Sequence, residues 1–99
     1  MPTVAVDRRR IGELCRRHHV ERLALFGSVL RDDFGPDSDI DVLVEFEPDA
    51  TVGFLDMAEL EQALAEMWGR PVDLRTPAEL SPYFRQRVLD EAEAVYVHG

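Results

Sequence analysis

Between residues 39 and 46 apolar and polar side chains alternate. Ile40, Val42, Val44 and Phe46 fall on one side, and Asp39, Asp41, Leu43 and Glu45 on the other. A period of two belongs to a β-strand with one face turned to a core. The preceding run Arg22-Leu23-Ala24-Leu25-Phe26 reads as a second, more buried strand that ends at Gly27-Ser28. Upstream, Ile11, Leu14, Cys15 and His18 recur at helical spacing behind Asp7, a good N-cap. They predict a helix from about Asp7 to His18. A short helical turn is expected from Val29 to Asp33, broken by Gly35-Pro36.

Further on the period returns to that of a helix. Met57, Leu60, Leu64, Met67 and Trp68 form one apolar stripe over Gly53 to Trp68, with Gly69 as the stop and Pro71 preventing continuation. Val72-Asp73-Leu74 predicts a short third strand. Ser81-Pro82 is an N-cap and first-turn pair for a helix to about Glu91, and Ala94 to Val97 add a last strand. Helices and strands interleave, so the predicted class is α/β (α+β): a small mixed β-sheet of about four strands covered by helices. Ninety-nine residues make one domain, residues 1–99, with little room for a second binding domain. Whatever accepts the product of its chemistry is expected to come from outside.

Composition removes several chemistries. All eleven basic residues are arginine, so a Walker-type phosphate lysine, a Schiff-base lysine and a lysine that carries AMP covalently are excluded. Cys15 is the only cysteine, which excludes an intramolecular disulfide and a cysteine metal cage. Met1 to Arg10 lacks the apolar centre of a signal peptide, and no apolar run approaches the roughly 20 residues of a membrane span. A soluble, cytoplasmic protein without membrane contact is the expectation.

Charge is unevenly spread. Residues 1–31 carry seven arginines against three acidic residues, and residues 32–99 carry four against seventeen, within a net charge of −9. Such an acidic body argues against stable nucleic-acid binding through phosphate neutralisation, and it suits divalent cations and a basic protein partner. A solvated surface explains the same numbers without a partner.

The sharpest chemical feature is Gly27-Ser28, ten residues, then Asp39-Ile40-Asp41. If the two flanking strands are neighbours, the glycine corner and both aspartates meet at one end of the sheet. Carboxylates two apart on a strand leave one face roughly 7 Å apart along the backbone. Side chains so placed can converge on two divalent ions about 4 Å apart. Hard oxygen ligands on a rigid strand match Mg²⁺, which keeps both carboxylates ionised and also takes phosphate oxygens. Gly27 lets a phosphate approach its backbone N–H, Ser28 adds a hydroxyl, and Arg31 brings a permanent positive charge. Arg31 suits pairing with Asp32, Asp33 or Asp41 equally well, and Asp73 alone is as readily a surface carboxylate as a ligand.

Leu25-Phe26-Gly27-Ser28-Val29-Leu30-Arg31 through Ser38-Asp39-Ile40-Asp41-Val42-Leu43-Val44-Glu45-Phe46 resembles the signature of the minimal nucleotidyltransferase (MNT) family, a branch of the DNA polymerase β-like nucleotidyltransferases. Asp73 in Pro71-Val72-Asp73-Leu74 matches the place of the family's third carboxylate. Asp32 departs from the pattern, where many relatives carry a small residue. The resemblance implies the polymerase β-like fold and Mg²⁺-dependent transfer of AMP from ATP with release of pyrophosphate. Asp39, Asp41 and Asp73 would be the catalytic and metal residues, holding two ions, and Gly27, Ser28 and Arg31 the nucleotide-binding ones. Many MNT chains of this length resemble antitoxins whose partner is a HEPN-type ribonuclease toxin, silenced by modification of a tyrosine with AMP. Two other readings compete: inhibition of the partner by occlusion without catalysis, and transfer to a small molecule or an RNA end. The residues leave open whether two copies pair as a homodimer.

Overall fold

The computed structural model describes residues 6–31, 35 and 37–98. Those residues form three α-helices, α1 (Arg8–Arg17), α2 (Phe54–Trp68) and α3 (Arg85–Glu91). Four strands accompany them, β1 (Val20–Phe26), β2 (Ile40–Phe46), β3 (Val72–Arg75) and β4 (Glu93–Val97). The sheet order is β3-β2-β1-β4. β1 lies antiparallel to both β2 and β4, while β2 and β3 run parallel. A parallel neighbour requires a crossover, and α2 is that crossover.

Local signals account for most boundaries. Asp7 caps α1 by accepting from the Arg10 amide, and Arg16 and Arg17 sit in the last turn, where positive charge favours the helix dipole. Gly53 precedes α2, and Gly69 ends it in the left-handed conformation. The turn after β1 is a 3₁₀ turn over Gly27–Leu30, tighter and earlier than the expected Val29 to Asp33. Asp32, Asp33 and Pro36 lie outside the described residues. α3 also departs from expectation. Ser81 to Phe84 form a turn rather than a first helical turn, and the helix starts at Arg85.

One face of the sheet buries the core. Ile40, Val42 and Val44 of β2 pack with Leu23 and Leu25 of β1 against Ile11, Leu14 and Cys15 of α1 and Leu60 and Leu64 of α2. Burial there pushes the Cys15 thiol up to about 12. The other face carries Asp41, Asp73 and Glu45, with Ala24 and Leu43 buried among them. Among the described residues no helix is long and apolar enough to cross a membrane.

Candidate active site

The chain leaves β1 at Phe26 and turns on Gly27, whose φ of 73° lies in the left-handed region that glycine enters without steric cost. The corner presses on the neighbouring strand. A Cβ built on Gly27 would stand 2.3 Å from Asp41 Oδ2. Conformation and space thus both demand a residue without a side chain, and they set the Gly27 backbone directly against the Asp41 carboxylate.

Strand register brings the other carboxylates to the same place. Asp41 is opposite Asp73 on the parallel strands β2 and β3, and opposite Phe26 on β1. Such cross-strand partners share a face and lie about 4.8 Å apart. Asp39 stands exposed, one residue before β2. Its approach is fixed by the segment between α2 and β3. Arg70 donates to the backbone carbonyls of Gly35 and Ser38, the latter at 2.8 Å, and the Ile40 amide donates to the Pro71 carbonyl at 2.9 Å. The edge strand β3 is pinned in turn by Glu61 of α2, whose carboxylate accepts from the Leu74 amide at 2.9 Å.

Electrostatics report the crowding. The Asp41 carboxyl is held above its ordinary value first by partial burial, then by the negative charges of Asp73 and Asp39. Arg75 and Arg31 oppose that shift. Arg75 pairs with Asp73, Nε to Oδ1 at 3.2 Å, and its own proton is held more tightly as a result. Among the described residues no three Asp, Glu, His or Cys side chains already converge into a compact cage for an ion. The backbones of the three aspartates are gathered at one end of the sheet, and Arg75 engages the carboxylate of Asp73. The donor set nevertheless fits a hard divalent cation. It offers oxygen ligands only, on adjacent rigid strands, with an excess of negative charge that an ion would relieve.

Gly27 and Arg31 line one wall of a pocket of about 300 Å³ that Phe26, Phe84, Arg87, Val88 and Glu91 complete. Ser28 is half-buried in the 3₁₀ turn, where its carbonyl accepts from the Arg31 amide at 2.9 Å. Gly27, Ser28, Arg31, Asp39, Asp41 and Asp73 therefore lie around the shared end of β1, β2 and β3. The sequence reading missed three residues here. Arg75 had a readable signal, since it follows Asp73 by two on a strand and so shares its face. Glu61 and Arg70 had none, because their roles arise only when α2 folds over β3 and the loop before β2.

Residues 8–95 match the model of a family described as Nucleotidyltransferase domain. The protein adenylyltransferase MntA of Thermococcus cleftensis is 38% identical over 85 residues, covering 86% of this chain and 82% of that protein. A solved structure described as a minimal nucleotidyltransferase is 42% identical, with a TM-score of 0.71, covering 86% of this chain and 85% of the other. A chain from the complex of a tri-AMPylated Shewanella oneidensis HEPN toxin with an MNT antitoxin is 26% identical. Its TM-score is 0.64, over 92% of this chain and 70% of that one.

Proposed function

This chain belongs to the nucleotidyltransferase domain family, and from that premise we propose that it is a cytoplasmic protein adenylyltransferase. In this reading it moves AMP from ATP to a tyrosine hydroxyl of a HEPN-type ribonuclease, and so acts as an antitoxin. The observation that carries the reading is the pairing of Asp41 with Asp73 across β2 and β3, at the corner where Gly27 abuts Asp41. That corner combines what nucleotidyl transfer needs: a carboxylate cluster for divalent cations and a bare backbone for phosphates. The Thermococcus adenylyltransferase and the Shewanella complex support the protein acceptor and the HEPN partner.

The residues divide the work. Asp39, Asp41 and Asp73 would hold two Mg²⁺ ions, which when bound would neutralise charge on the triphosphate. The Gly27 and Ser28 backbone and the Arg31 guanidinium take the outer phosphates. The tyrosine oxygen attacks the α-phosphorus, the bond from that phosphorus to the oxygen bridging to the β-phosphate breaks, and pyrophosphate leaves. Asp73 would stand beside the attacking hydroxyl and receive its proton. Transfer is direct, because no lysine exists to carry AMP. Residues 1–99 act as one catalytic domain, and the acceptor is supplied by the partner.

Thermal melts with Mg²⁺ and ATP test the site. Ligand that binds only the folded state raises its apparent stability, so wild type should shift upward and Asp39→Asn/Asp41→Asn should not. Asp73→Asn should keep much of the shift but lose at least about a hundredfold in transfer rate, the scale of a lost proton acceptor. Equal shifts in wild type and the double variant, or wild-type transfer by Asp73→Asn, would remove these residues from the site.

A further inference from the structure

We propose that Arg75 is a positioning residue for the third carboxylate, holding Asp73 in the nucleotide-free protein and yielding it when a divalent cation binds. The inference rests on the reading of Asp73 as a metal-site residue. Arg75 Nε lies 3.2 Å from Asp73 Oδ1, and Nε and Nη2 each lie 3.3 Å from Oδ2. Both carboxylate oxygens are thus engaged by one guanidinium, and they are the atoms a cation would take. The arrangement follows from the strand: residues two apart share a face, so Asp73 and Arg75 stand side by side on the face that Asp41 also occupies.

Charge explains why such a partner is needed. Asp73 faces Asp41 across the ladder, and with Asp39 the corner gathers three negative groups at one end of a small sheet. Arg75 supplies a compensating charge that reaches Asp41 as well as Asp73. The pair is also replaceable. With side chains 46% and 39% exposed it stays within reach of water, and such a pair competes with a cation only by about two- to fivefold. The guanidinium therefore keeps the Asp73 side chain ordered without blocking the exchange. The alternative role for an arginine beside a triphosphate, a direct phosphate contact, predicts an effect of opposite sign.

Mn²⁺ titrations in the presence of a non-hydrolysable ATP analogue, read by water-proton relaxation, decide between them. Arg75→Ala should retain Mn²⁺ about two- to fivefold more tightly than wild type. Arg75→Lys keeps the charge but loses the planar fork, and should fall between the two. The lysine variant also keeps the test open should the alanine variant fold poorly, as checked by circular dichroism. Unchanged or weaker Mn²⁺ retention in Arg75→Ala overturns the proposal. A lysine variant indistinguishable from wild type does so too, since charge alone would then account for the effect. Asp39→Asn/Asp41→Asn in the same assay should lose Mn²⁺. If it does not, the metal-site reading itself falls, and the role of Arg75 with it.

Discussion

Gly27 and Gly69 both hold positive φ, 73° and 65°, yet a methyl group added at each would meet different surroundings. At Gly69 nothing lies within 4 Å, whereas at Gly27 the Asp41 carboxylate is in the way. Gly69→Ala should therefore cost only the left-handed backbone, roughly 1–2 kcal/mol, and leave transfer by the folded protein unchanged. Gly27→Ala should cost more and also displace Asp41, so that transfer falls at temperatures where the variant remains folded. Chemical denaturation paired with rate measurements checks both; equal rates in the two variants would detach Gly27 from the site. Asp41 carries the complementary lesson. Its folded-state value is raised, so the folded protein holds this proton more tightly than the unfolded chain. Stability from this group is then full below the ordinary carboxylate value of 3.8 and is lost as pH rises through the raised one. Without added metal, Asp41→Asn should accordingly melt above wild type at neutral pH while losing transfer, and the margin should close on acidification. A lower melting temperature at neutral pH would contradict the repulsion described here.

Elements show where local chemistry suffices and where it does not. The alternation Ile40 to Phe46 was readable because one face of β2 meets the core and the other carries the aspartates. α2 was readable because Gly69 is a local stop that needs no tertiary help. The start of α3 was not. Ser81-Pro82 signals a helix, but Arg85 gathers the carbonyls of Pro77, Ala78 and Leu80 and holds 81–84 as a turn. The 3₁₀ turn Pro77–Glu79 that this arrangement supports went unpredicted for the same reason. Of the candidate site, the corner and the paired aspartates followed from spacing. That Asp73 sits opposite Asp41 depended on strand order, which no local pattern encodes. The pinning of β3 by α2 is testable. Glu61→Ala strands the Leu74 amide and should destabilise by about 1–2 kcal/mol, with slower transfer because Asp73 adjoins it. Glu61→Gln retains an oxygen acceptor and should recover most of both; if neither variant differs from wild type, this contact does not hold the strand.

At the scale of the molecule, chemistry and charge are arranged separately. The aspartate corner occupies one end of a four-stranded sheet, while residues 32–99 carry seventeen acidic residues against four arginines. A body of that sign should draw a basic partner, with association slowed by salt. On the proposed function the partner is silenced by transfer through Asp39, Asp41 and Asp73 rather than by contact alone. The direct measurement mixes this chain with the proposed HEPN-type ribonuclease, Mg²⁺ and ATP labelled at the α-phosphate, and follows label and RNA cleavage together. Wild type should place label on a tyrosine of the ribonuclease as cleavage ceases, and Asp39→Asn/Asp41→Asn should do neither. Inhibition by that variant equal to wild type, with no label transferred, would contradict the account.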